Sequence, residues 1–105
     1  MLNNRRENNR IAASRPVEIG IGSQVTIQGQ LKDLSAKSAF IRMKSSVFMQ
    51  LHDELNFLIK SSSGAEDDSF GGVARISRIA AGEGIAIYFT KMDPSDASRL
   101  QQLIR

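Results

Sequence analysis

Apolar residues fall at every second position through most of this chain, and that alternation commits it to strands with one buried and one wet face. Val17, Ile19 and Ile21 form one such series, and Val25, Ile27 and Leu31 a second with Gly29 in phase. Ala39, Ile41 and Met43, then Leu55, Phe57 and Ile59, then Ile85, Ile87 and Phe89 repeat it. GVARISRIA, residues 72–80, reads as a further strand with a less regular pattern. Gly22-Ser23 and Gly82-Glu83-Gly84 mark tight turns. Six strands with short connections predict a small antiparallel β-barrel, because closure removes exposed sheet edges.

The period changes at the end of the chain. Asp93 reads as an N-cap, Pro94 suits the first helical position, and Asp96 complements the helix dipole. Ala97, Leu100, Leu103 and Ile104 share one face, with Arg99, Gln101 and Gln102 outward, so a helix is expected over about 94–104. Such a short helix needs its stripe buried, most simply across the barrel. The fold class is therefore all-β with one helix. Residues 1–15 are expected to form a flexible N-terminal arm, and 16–105 the barrel with its helix. Residues 60–72, KSSSGAEDDSFGG, read as a long loop whose acids Glu66, Asp67 and Asp68 lack the spacing of a calcium loop.

Charge is unevenly placed. The net charge is +3, and residues 1–15 account for all of it through Arg5, Arg6, Arg10 and Arg15 against Glu7. That argues for an anionic partner met by one local arm, against the alternative of a merely solvated tail. Cysteine is absent and His52 is the only histidine, so no nucleophile–base pair and no metal set can be assembled. We expect no catalytic residue, metal or cofactor. No apolar run suggests a signal peptide or membrane insertion.

One phase slip stands out. Continuing the count from Val25, Ile27 and Leu31 would bury Asp33 and Ser35, whereas the apolar residue stands at Leu34. A bulge would turn Leu34 inward and Asp33 and Ser35 outward. This stretch is either an ordinary turn bonding its own backbone or a polar pair presented beside the arm.

Together the two stretches resemble the PilZ domain family of bacterial cyclic di-GMP receptors. Arg6-Glu7-Asn8-Asn9-Arg10 matches that family's RxxxR motif, with Arg5 just upstream. Asp33-Leu34-Ser35-Ala36-Lys37-Ser38 matches its [D/N]xSxxG motif except at the last position. The likeness runs on through SAFI and GVARISRIAAGEGIAIYF into the closing helix. It implies a six-stranded split barrel plus a C-terminal helix, in the bacterial cytoplasm. It also implies a cyclic di-GMP site drawn from Arg5, Arg6, Arg10, Asp33, Ser35, Lys37 and Ser38, and a downstream bacterial protein as partner. Arg5 resembles the type that takes two intercalated ligand molecules.

Ser38 departs from the family, which has glycine there, and Lys37 stands where a second glycine is common. A position needing φ > 0 would cost serine about 1–2 kcal/mol. Three functions follow. The first is a nucleotide receptor whose arm orders over the ligand and changes the surface offered to a partner protein. The second is a degenerate PilZ-like interaction domain that binds no nucleotide, and the third a small barrel binding RNA or single-stranded DNA. The third has the least support, since only Phe40 and Tyr88 fall on outward phases as stacking platforms.

Overall fold

The structure is a computed structural model that describes residues 11–12, 14–22, 25–44, 49–61 and 69–104. Among these residues, seven strands, β1 (Ile11–Ala12), β2 (Pro16–Ile21), β3 (Val25–Leu34), β4 (Ser38–Arg42), β5 (Glu54–Ile59), β6 (Phe70–Ala80) and β7 (Gly84–Lys91), precede one helix, α1 (Pro94–Ile104). Every strand pairing is antiparallel. Six strands run in the order β3-β2-β5-β6-β7-β4, and β4 pairs back to β3, which closes the barrel. The extra strand, β1, lies on β3, where Ile11 opposes Leu34 and Ala12 opposes Asp33.

The alternation lands as expected over most of the barrel. Val17, Ile19, Ala39, Ile41, Ile59, Ile76, Ile85 and Ile87 are fully buried, and each large aliphatic side chain so placed contributes about 1.5–3 kcal/mol. Phe57 sits against Phe89 with ring centroids 5.0 Å apart. The series weakens in the first half of β3, where Val25 is exposed instead of buried and Ile27 half-buried. The cause is length. β4 reaches only from Leu34 back to Gln30, so the start of β3 has a sheet neighbour on its β2 side alone.

Three strand irregularities have a geometric origin. The register between β3 and β4 shifts between Leu31 and Asp33, leaving Lys32 as the bulged residue. The β6–β7 register shifts twice, between Val73 and Ala74 and between Ile76 and Arg78, which accounts for the uneven pattern of GVARISRIA. The expected loop over 60–72 ends sooner, because Phe70, Gly71 and Gly72 already pair with Ile59, Leu58 and Phe57. Residues 62–68, with the three acids, lie outside the described residues, as does Ser23 of the first expected turn.

Helix α1 matches its expected bounds, and the Ala97 N–H donates to the Asp93 carbonyl at 2.9 Å to close its first turn. Leu100 is buried, with Leu103 and Ile104 partly buried against the barrel core. Polar bonds fasten the same helix to the start of β6. The Gly71 N–H donates to Asp96 Oδ1 at 3.2 Å, and Arg99 Nη1 donates to the Ser69 carbonyl at 3.1 Å. Arg99 is thus half-buried, whereas its place on the helical wheel suggested a solvated side chain.

Candidate functional site

The bulge at Lys32 creates the site's polar edge. With one extra residue in β3, Leu34 turns into the core at 0% exposure and Asp33 stands half-buried opposite Phe40. Beyond Leu34 the chain reverses through Ser35–Lys37 and re-enters the sheet at Ser38. Asp33, Ser35, Lys37 and Ser38 are therefore gathered on one hairpin turn.

The turn is closed by serine hydroxyls. The Ser35 N–H donates to the Ser38 carbonyl at 2.8 Å, and Ser35 Oγ accepts from the N–H groups of Ser38 at 3.2 Å and Lys37 at 3.4 Å. The two hydroxyl oxygens lie 3.1 Å apart, and Ser35 Oγ also donates toward the Ser38 carbonyl at 3.3 Å. Ser35 is consequently buried, at 5% exposure, and does not stand on the outer surface as its phase suggested. Its hydroxyl serves the local backbone, as serine side chains in tight turns do. Lys37 is exposed, and its carbonyl accepts the Phe89 N–H at 2.9 Å.

Ser38 does not carry the strain a positive φ would impose. Among the described non-glycine residues only His52 has positive φ, at 72°, and Ser38 opens β4 in extended backbone. What serine changes here is occupancy, since its Oγ holds the Ser35 hydroxyl.

Arg5, Arg6 and Arg10 lie outside the described residues. Their attachment point is described. Ile11, the residue after Arg10, pairs with Leu34, and Ala12 pairs with Asp33, so β1 runs along the motif-bearing end of β3. Arg15, counted with the arm by charge, belongs to the barrel wall. It is 9% exposed, donates Nη1 to the Lys60 carbonyl at 3.5 Å and accepts the Leu31 N–H at 2.8 Å through its own carbonyl. A groove of about 340 Å³ lies beside β1, lined by Ala12, Ser14, Gln30, Leu31, Lys32 and Arg42. A larger one, about 590 Å³, runs by Ile27–Gln30, Arg42–Lys44 and Gly82–Glu83 and contains no motif residue.

The outer face of the sheet beside the turn holds groups that sequence reasoning placed only partly. Phe40 is on the outward phase, yet only 7% is exposed because Lys32 Nζ and Arg78 Cζ lie 5.6 Å and 5.4 Å from its ring centroid. Tyr88, on β7, is exposed and directly opposite Ser38. Elsewhere on the barrel Lys60 pairs with Glu18 at 2.7 Å and Arg75 with Glu54 at 3.9 Å. The Lys60 hydrogen bond, with help from Gln28 and the Lys60 charge, holds the Glu18 carboxyl below its ordinary range. Among the described residues no three His, Cys, Asp or Glu side chains cluster as a metal site, and no helix is long and apolar enough to cross a membrane.

Known proteins share this fold. The PilZ domain family model matches residues 4–105. Among solved structures, the inhibitor of motility MotI/DgrA of Bacillus subtilis superposes with a TM-score of 0.77 at 17% identity, over 95% of this chain and 49% of that one. This chain thus spans about half the length of MotI. The PilZ domain of CeSA from a cellulose-synthesizing bacterium gives 0.68 at 24% identity, over 90% of this chain and 93% of that one. The PilZ domain of YcgR from Escherichia coli, solved with c-di-GMP, gives 0.73 at 18% identity, over 95% and 88%. At these identities the structural likeness speaks for the fold alone. A comparison with curated proteins found no match. With a closed antiparallel barrel, a short strand after Arg10 paired beside Asp33 and Leu34, and a family match over residues 4–105, the protein belongs to the PilZ domain family.

Proposed function

We propose that this domain is a cyclic di-GMP receptor module, in which the segment bearing Arg5, Arg6 and Arg10 closes over the nucleotide held at the Asp33–Ser38 turn. The family is one of cyclic di-GMP receptors rather than catalysts, and a PilZ-domain neighbour was solved with that ligand. The observation that carries the reading is the pairing of Ile11 with Leu34 and Ala12 with Asp33, which ties the chain just after Arg10 to the turn.

The chemistry is complementary. Arginine can fork onto a phosphate, dock on guanine O6 and N7, or stack on the base. Asp33 accepts guanine N–H protons, Lys37 adds a cation, and the serine hydroxyls donate or accept. Closing the segment over the ligand changes the surface offered to a partner protein, and a local charge event becomes a new docking face.

One observation favours a second reading, that of a PilZ-like interaction domain without nucleotide. Ser35 is buried, and its hydroxyl is held by Ser38, where a family member would have glycine. Calorimetric titration with cyclic di-GMP separates the two. Receptor function gives saturable binding that Arg10→Ala abolishes and Ser38→Gly strengthens. No heat of binding, even in Ser38→Gly, overturns the receptor reading and favours the interaction domain.

A further inference from the structure

The seam between β3 and β4 is closed over only part of its length. At Gly29 the strands press so close that a Cβ would lie 2.7 Å from Ile41 Cγ2 and 2.8 Å from the Arg42 carbonyl oxygen. Beyond that contact they part. Past Arg42 the chain follows the β6–β7 turn instead, and the Met43 N–H donates to the Glu83 carbonyl at 3.1 Å. The β3–β4 register accordingly ends at the pair Gln30–Arg42. The wedge left between the start of β3 and residues 42–44 is the groove of about 590 Å³.

Strand geometry fixes what β3 offers to that groove. Its odd positions turn their backbone groups toward β2, as the Leu31 N–H does in donating to the Arg15 carbonyl in phase with the β2 register. Even positions turn N–H and C=O the other way. Gln30 meets Arg42 there, whereas Thr26 and Gln28 have no strand opposite them among the described residues. Sheet edges are ordinarily blunted by a charge, a proline or a bulge. Residues 25–29 read VTIQG, without charge or proline, and their register with β2 is unbroken. Thr26 and Gln28 are exposed, and Ile27 and Met43 line the groove with apolar surface. Its charge is one-sided. Arg42 and Lys44 are exposed on its rim with Glu83 as the single acid, and neither cation has an ion-pair partner among the described residues.

We propose that the open edge of β3 at Thr26–Gln28 docks an extended acidic segment of a partner protein, which adds to the sheet as a strand and sets its carboxylates against Arg42 and Lys44. Main-chain bonds to Thr26 and Gln28 supply affinity whatever the partner's sequence, and the two cations select for acids. A second copy of this chain fits less well, because its own residues 25–28 bring no carboxylate to the rim. A polyanion without a peptide backbone leaves the edge groups unanswered. The groove lies at the opposite end of the β3–β4 pair from the Asp33–Ser38 turn, so this docking does not rest on the receptor reading.

The probe is a capped peptide of about seven residues alternating glutamate and valine, added to the 15N-labelled full chain without nucleotide. Saturable shifts should appear at the Thr26, Gln28, Arg42 and Lys44 amides. Deuterium exchange at Thr26 and Gln28 should slow about tenfold when the peptide stands at ~10 times its Kd. Arg42→Gln and Lys44→Gln should each weaken binding about threefold to tenfold, and a lysine–valine peptide should bind at least about tenfold more weakly. Thr26→Pro removes an outward donor while sparing the β2 ladder, and it should abolish binding. Should that variant melt early, a peptide N-methylated at every amide makes the same test from the ligand's side. Absence of shifts at these amides with millimolar peptide overturns the proposal, and so does equal binding of the lysine or the N-methylated peptide. Exchange protection that rises with protein concentration alone, with dimers in sedimentation, overturns the acidic partner and assigns the edge to a second copy.

Discussion

The turns at the two ends of β4 solve the same problem with opposite chemistry. At the β6–β7 end the chain reverses on backbone freedom. Gly82 and Gly84 adopt φ of 80° and 156°, and the Glu83 N–H donates to the Ala80 carbonyl at 2.9 Å. A Cβ on Gly84 would collide with the carbonyl oxygen of Ile41, so the turn also lets β4 pass close by. At the Asp33–Ser38 end the chain reverses on side-chain bonds, with Ser35 supplying the acceptor that the backbone lacks. A turn built from glycine presents little to a ligand and serves the fold. A turn built from hydroxyls and flanked by Asp33 and Lys37 carries chemistry, and it tolerates change in shape better than change in polarity.

The largest effect should therefore come from the glycine turn. Gly84→Ala adds a collision to an unfavourable backbone conformation and should cost about 3–5 kcal/mol, enough to lower Tm by ~15 °C or more. Its loss of ligand binding should follow unfolding and recover on cooling. If Gly84→Ala melts like the wild type, the division of labour between the two turns fails. Next in size is Ser35→Ala. It removes the acceptor for two N–H groups in a buried turn and should cost about 1–3 kcal/mol by urea unfolding. A folded Ser35→Ala protein should also bind cyclic di-GMP more weakly at temperatures well below its Tm.

Ser38→Gly sharpens the contrast, because it should move stability and affinity in opposite directions. Losing one hydroxyl contact and placing glycine in a strand costs about 1 kcal/mol. Freeing the Ser35 hydroxyl and clearing the Cβ should tighten nucleotide binding by on the order of tenfold. A variant that is less stable and also binds no better would show that serine is as good as glycine at this position.

The smallest effect belongs to the Lys60–Glu18 pair, remote from both turns. Glu18 is held below its ordinary range, so its stabilisation is present above the unfolded carboxylate value and is lost as pH falls through the folded one. Lys60→Met should lower Tm slightly at pH 7, and the gap to wild type should close as pH drops below about 4. Because the pair is exposed, raising salt at pH 7 should narrow the same gap. A gap that widens in acid would reverse the assignment.

Much of the barrel could be read in the residues, because a strand's buried face repeats every two positions whatever it pairs with. The bounds of α1 were equally plain from Asp93-Pro94 and the spacing of Ala97, Leu100 and Ile104. The slip at Leu34 announced the bulge at Lys32. Three features were not legible. Strand β1 is two residues long, too short to show a period. The bulge at Ser77 was visible only as irregularity, because neither Ser77 nor Arg78 marks a phase by being apolar. Ser35 looked outward because alternation counts faces of a strand, and the turn beyond Leu34 no longer obeys a strand's geometry.

The candidate site divides along the same line. Sequence alone determined which residues carry the RxxxR and DxSxx patterns, since those are covalent facts. It also located the chain's net positive charge at residues 1–15, although Arg15 proved to be part of the wall. Only tertiary structure decided that β1 runs beside Asp33, that Ser38 holds the Ser35 hydroxyl, and that Tyr88, Phe40, Lys32 and Arg78 share a face. These depend on the register between strands far apart in the chain. A shift of one residue, as at either bulge, reverses which side chains meet the solvent, and no local pattern records it.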